Sequence, residues 1–179
     1  MAALYTNQIN FLGSQILHDT KVRWLGTYAQ NQIPSNKNEK WPFALVVNAD
    51  VTAGTGEHWL AFYAFRNSFK IEMFDSFGLP PNIYSFDPSL IHFSSRSIQS
   101  FGSKVCKHYA LLFIYFKSRN YSLNNTINNL DKNFTDASAA RKIYDLSCSK
   151  LSHVHCTCQC CKNKSTRQFF ELYYYGEFS

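Results

Sequence analysis

Hydrophobic and polar positions follow two rhythms along the chain, one helical and one extended. Ile9, Leu12, Ile16 and Leu17 recur at helical spacing within Asn7–His18, which predicts an amphipathic helix in spite of Gly13. A loop rich in Asn, Lys and Pro runs from Gln30 to Pro42. Phe43–Val47 follows; it is too short for a helix and is bounded by Pro42 and Asn48-Ala49-Asp50, so it reads as a short buried strand. His58–Phe65 and Phe69–Phe74 are aromatic-rich runs separated by Arg66-Asn67-Ser68, the pattern of a hairpin with a three-residue loop. Antiparallel pairing would set His58, at the start of the first strand, beside Asp75, just past the end of the second.

Beyond Gly78-Leu79-Pro80-Pro81 the chain reads as loop until Ser94–Gln99, a short edge strand by pattern. Tyr109, Leu112, Phe113 and Phe116 then fall at i, i+3, i+4 and i+7. They predict an amphipathic or buried helix capped by Ser103, with Cys106 in its first turn. A second helix capped by Ser122 carries Leu123, Ile127 and Leu130 on one face. A third, capped by Thr135 or Asp136, carries Ala139, Ile143 and Leu146.

Composition narrows the class. With 179 residues, 45% of them hydrophobic and 17% aromatic, the chain can build one domain with a large core, and wholesale disorder is excluded. No apolar run reaches the roughly 18 residues of a membrane span; even Ala110–Phe116 is closed by Lys107 and Lys117. Met1–Leu12 does not read as a signal peptide, so the expected setting is intracellular and reducing. The formal charge is +6, and five basic residues (Arg96, Lys104, Lys107, Lys117 and Arg119) lie in one stretch without an acidic residue. That stretch reads either as a solvated surface or as a patch for nucleic acid or an acidic partner. The six cysteines are uneven: Cys106 stands alone, and Cys148, Cys156, Cys158, Cys160 and Cys161 crowd the last third. A disulfide framework would spread them through a small secreted chain.

A thiol in the first turn of a helix meets the positive end of the helix dipole and unpaired amides, both favouring the thiolate. Lys104 and Lys107 add positive charge beside Cys106. Taken singly, Cys106 reads more readily as a small buried apolar residue, His58 can be a strand-end residue and Asp75 equally a turn residue. Together they match a different requirement: a cysteine nucleophile needs an imidazole to take its proton and a carboxylate to orient that imidazole.

These residues lie in segments that resemble the adenovirus-type cysteine endopeptidases, which Polinton or Maverick transposons also encode. Gly56-Glu57-His58-Trp59-Leu60-Ala61-Phe62 is similar to the family's histidine motif, and Phe74-Asp75-Ser76-Phe77-Gly78-Leu79-Pro80-Pro81 to its acidic motif. Gln99-Ser100-Phe101-Gly102-Ser103-Lys104-Val105-Cys106 resembles the segment that ends in the nucleophile. Trp24–Tyr28 with Ile33-Pro34 resembles its amino-terminal docking segment. The resemblance covers roughly residues 8 to 147. It implies an α+β fold of the papain-like, ubiquitin-like-protease type, in which a mixed sheet packs against a central helix bearing the nucleophile. It implies Cys106 as nucleophile, His58 as proton shuttle, Asp75 as the acid holding the ring, and Gln99 with the Cys106 amide as oxyanion donors. Gly56 and Trp59 would border the substrate, although Trp59 reads equally as a core aromatic. The implied partner is a structural or polyprotein precursor cleaved in the nucleus or in a virion-like particle. No cofactor or membrane is implied, and the enzyme is expected as a monomer. Activation by DNA through the basic stretch remains open. A peptide tethered by a disulfide is disfavoured, because no cysteine precedes Cys106. Lys107 departs from the family, where a glycine usually follows the nucleophile.

These boundaries divide the chain into a protease domain, 1–147, and a Cys/His-rich extension, 148–179. The extension could ligate zinc, but Cys-x-Cys-x-Cys-Cys lacks the usual two-to-four-residue knuckle spacing, and a poorly ordered, redox-sensitive tail is expected instead. Two other readings share the residues: a protease for ubiquitin-like modifiers, and a non-catalytic basic module that binds nucleic acid.

Overall fold

A computed structural model describes residues 4–34, 41–50, 58–65 and 70–151, with side chains to 146. Among them are four helices: α1 Thr6–Leu17, α2 Cys106–Lys117, α3 Leu123–Asn133 and α4 Asp136–Leu151. Five strands, β1 Arg23–Ala29, β2 Phe43–Asn48, β3 Trp59–Ala64, β4 Ile71–Phe74 and β5 Ile91–Phe93, form one mixed sheet in chain order. The outer pairs β1–β2 and β4–β5 are parallel, and the inner pairs are antiparallel. The fold is therefore mixed α+β.

Side-chain alternation along the inner strands builds two cores. Ala44, Val46, Trp59, Ala61, Tyr63 and Phe74 face the helices, while Phe43, Leu45, Val47, Leu60, Phe62 and Met73 face the loops on the other side. The helix α2 is apolar nearly all round, the mark of a central helix, and it packs against β3, α1, α3 and α4. Phe74, the last residue of β4, stacks on Phe113 of α2 with ring centroids 4.9 Å apart. That contact fixes the end of β4, and hence Asp75, relative to the helix that begins with Cys106. Gly13, which weakens the α1 pattern, has a packing reason: a Cβ there would lie 2.5 Å from the Trp24 ring. Gly13→Ala is expected to destabilise the protein by about 1 to 3 kcal/mol through overpacking, readable by urea denaturation.

The predicted α1, β2, hairpin strands and Ser122 cap are present, the Ser122 hydroxyl accepting from the Asn125 amide at 3.2 Å. Thr135 supplies the α4 cap, accepting from the Ser138 amide at 3.3 Å. Three expectations need correction. The fifth strand is Ile91–Phe93 and not Ser94–Gln99, because the Ile98 and Gln99 amides both turn to the Ser76 carbonyl, at 2.8 and 3.0 Å. Ser103 does not cap α2; Val105 holds the cap position with no side-chain cap bond, and the Ser103 carbonyl is engaged by Gln99. The boundary at 147/148 falls inside α4, which continues to Leu151.

The basic stretch is not an open positive face either. Lys117 is buried against Glu72 at 2.8 Å, and Arg96 pairs with Asp131 at 3.1 Å. Arg119 lies over the Tyr115 ring at 3.6 Å, and half-buried Lys107 reaches the Leu4 carbonyl, so that only Lys104 and the Asp131-paired Arg96 are exposed. Among the described residues no helix is long and apolar enough to cross a membrane. The cysteine-rich extension beyond Leu151, the predicted hairpin loop Arg66-Asn67-Ser68 and Gly56 lie outside the described residues.

Candidate active site

His58 stands immediately before β3, and β3–β4 pairing returns the chain so that Asp75 lies beside it. His58 Nε2 lies 2.8 Å from Asp75 Oδ1. A carboxylate only accepts, so Nε2 carries the proton of this bond, and in the neutral ring Nδ1 keeps the lone pair. Nδ1 is buried without a hydrogen-bond partner among the described residues. The Cys106 sulfur nevertheless lies near enough to act on the ring's ionisation. Thiol and imidazole are therefore neighbours.

The ring's ionisation reflects three influences. Burial lowers the His58 pKa, but hydrogen bonding to Asp75, then the Cys106 sulfur and the charges of both, outweigh burial and lift it from 6.5 to about 9. Phe77 and Tyr84 stack along the ring at centroid distances of 5.0 and 6.0 Å, limiting its rotation.

Asp75 is 2% exposed and would be costly to ionise without donors. It has four. Oδ1 accepts from His58 and from the Phe77 amide at 2.8 Å, and Oδ2 accepts from the Tyr84 hydroxyl at 2.6 Å and the Leu79 amide at 3.2 Å. Burial raises its pKa, but the bonds to His58 and Tyr84, the imidazole charge and the Phe77 amide lower it further, so the net shift is downward. Tyr84 was not singled out by its sequence, and its hydroxyl pKa is raised by burial and by this carboxylate. It sits at the end of a short 3-10 helix, Pro81–Tyr84. The Pro80-Pro81 pair, an N-terminal helix signal, was the available clue. On the reading of Cys106, His58 and Asp75 as a catalytic unit, Tyr84→Phe is expected to lower kcat about tenfold with little change in KM, because His58 would lose one support of its orienting acid; steady-state kinetics check this.

Cys106 is the first residue of α2, 4% exposed, within the helix-side core. The first amides of a helix have no partner inside it, and among the described residues the Cys106 amide donates to no backbone carbonyl. Gln99 is 4% exposed and its carboxamide is fixed at both ends. Nε2 donates to the Ser103 carbonyl at 2.6 Å, and Oε1 accepts from the Ser76 hydroxyl at 2.7 Å. The Ser103 carbonyl can only accept, which settles which end is nitrogen, and the second Nε2–H is left over. The sheet thus joins His58 to Asp75, the following residue Ser76 holds Gln99, and the sulfur at the helix start acts on His58.

Trp59 is 6% exposed in the helix-side core, with the Lys107 ammonium 5.1 Å from its ring, so it takes the place of a core aromatic and not of an open substrate wall. Burial lowers the Lys107 pKa, against a smaller opposing pull from Cys106. His108, only two residues past Cys106, is fully buried beside Tyr144, and burial lowers its pKa to about 4. Among the described residues no carboxylate holds it, so it lacks the orienting acid that His58 has. Among the described residues no group of three or more His, Cys, Asp or Glu side chains could hold a metal ion. No family model matches the chain, and no curated protein matches it.

Proposed function

We propose that this protein is a cysteine endopeptidase of papain-like arrangement, similar to the adenovirus and Polinton type, acting on structural or polyprotein precursors. One observation carries the reading: a single imidazole, bonded at 2.8 Å to a carboxylate with four donors, is close enough to a cysteine at a helix start for that sulfur to raise its pKa.

In this reading the proton shared by Cys106 and His58 rests on His58 Nδ1 as the imidazolium while sulfur attacks the scissile carbonyl carbon. A C–S bond forms and the carbonyl electron pair moves to oxygen. The Cys106 amide and the spare Gln99 Nε2–H stabilise that oxyanion, a donor of this kind being worth about 2.7 to 4 kcal/mol. Collapse breaks the C–N bond, and His58 gives its proton to the leaving amine. Water, deprotonated by His58, then attacks the thioester and returns Cys106 as the leaving sulfur. Asp75 remains ionised throughout and holds the ring.

The reading favours glycine-containing precursor peptides over fusions to ubiquitin-like modifiers, and the two substrate sets assayed in parallel test that choice. A non-catalytic basic module draws little support from a basic stretch whose members are mostly paired or buried. DNA activation loses the same support.

The pH dependence has a definite sign. The imidazolium must be charged to protonate the leaving amine, so kcat/KM is expected to fall as pH rises through about 9, and not near 6.5. The stability linked to that proton follows the same direction: it is fully present below 6.5 and lost as pH rises through about 9. Asp75→Asn removes the carboxylate charge and is expected to move the alkaline limb of the kcat/KM profile to lower pH.

A further inference from the structure

We infer that Ser76 is a positioning residue for the oxyanion donor Gln99, so that consecutive residues of one turn serve the two halves of the site: Asp75 the base, Ser76 the oxyanion hole. The inference rests on the endopeptidase reading above. Ser76 is 1% exposed, and its hydroxyl donates to Gln99 Oε1 at 2.7 Å. Its carbonyl accepts from the Ile98 and Gln99 amides at 2.8 and 3.0 Å, so backbone and side chain of Gln99 are gripped by the same residue.

The chemistry requires such a grip. A carboxamide end is broad in its last torsion, and reversing it would present oxygen, an acceptor, to the developing oxyanion. Ser103 alone holds Nε2, at 2.6 Å, and leaves Oε1 as a buried acceptor in need of a donor. The Ser76 hydroxyl meets that need. Donation to Oε1 also polarises the amide, which strengthens its remaining N–H as a donor.

The turn explains how one residue reaches both sites. The Gly78 amide bonds back to the Asp75 carbonyl at 3.0 Å, and Gly78 at φ 71° lets the turn lie against the Ser95–Arg96 backbone. The following Ile98 and Gln99 are thereby brought under Ser76.

Kinetics on Ser76→Ala, Gln99→Ala and the double variant separate a positioning role from a merely structural one. Ser76→Ala is expected to lower kcat about tenfold with KM within about twofold, and to weaken inhibition by a peptide aldehyde, whose hemithioacetal needs the oxyanion hole, by a similar factor. Alkylation of Cys106 by iodoacetamide, which forms no oxyanion, is expected to keep its wild-type rate and so shows that the site is folded. In the Gln99→Ala background the loss of the hydroxyl is expected to change kcat less than about twofold. Ser76→Cys, nearly isosteric with a weaker donor, is expected to fall between wild type and Ser76→Ala. Full kcat in Ser76→Ala, or the same fold loss with and without Gln99, overturns the inference while leaving the endopeptidase reading intact. A wild-type protein that cleaves none of the substrates and shows no preferential alkylation of Cys106 overturns both.

Discussion

Cys106→Ala is expected to lower kcat by at least about 10⁴-fold while shifting the melting temperature by only a few degrees. The two halves of this result have different causes. The thiol is 4% exposed and small, so its removal leaves little unfilled volume and unpairs no strong hydrogen bond. The proposed catalysis, by contrast, loses its bond-forming atom. His58→Ala is expected to cost a similar factor, and the double variant no more than either alone, because a nucleophile and its base act as one unit. Full additivity of the two losses would show that they do not. Cleavage of a glycine-containing peptide panel, with melting curves on the same samples, supplies the comparison.

Gly78→Ala carries the second large effect, and it acts on the frame around the chemistry. Gly78 has φ 71°, where a Cβ is strained, and that Cβ would lie 2.6 Å from the Ser95 carbonyl oxygen and 2.7 Å from the Arg96 carbonyl carbon. Neither contact is with a flexible side chain that can swing aside. The turn must therefore lift from the 95–99 segment or change conformation, at a cost of about 2 to 4 kcal/mol. Because this turn holds Asp75 against His58 and Ser76 against Gln99, kcat is expected to fall along with stability. Urea denaturation and kcat on the same preparation check both. A Gly78→Ala protein as stable and active as wild type would show that the close approach is dispensable.

Much of the candidate site was legible because it depends on short-range pattern. The hairpin rhythm of His58–Phe74 placed His58 and Asp75 at one end of a sheet, and helical spacing after Val105 placed Cys106 in a first turn. Motif resemblance added Gln99. What the sequence did not disclose lies in irregular backbone. Tyr84 reaches Asp75 from a 3-10 turn nine residues away, a contact with no periodicity to announce it. The edge strand was misplaced for a related reason: Ser94–Gln99 has extended character, but its amides serve the turn at Ser76 and not a neighbouring strand. Ser103 reads as a helix cap by type, yet its carbonyl orients Gln99 and the helix begins three residues later. Charge was the least reliable guide. The stretch from Arg96 to Arg119 is basic in sequence, while in the fold Lys117 is buried against Glu72 and Lys107 is folded onto Leu4 and Trp59.

The central claim, that Cys106 is a nucleophile activated by His58, is tested most directly by site-resolved labelling. The protein is treated with limiting peptide vinyl sulfone at neutral pH, and the adduct is located by mass spectrometry of the digested chain in wild type and His58→Ala. A single adduct at Cys106, formed about 100-fold more slowly in His58→Ala, is the predicted result. An adduct spread over the cysteines beyond residue 147, or one at Cys106 whose rate ignores His58, would contradict it.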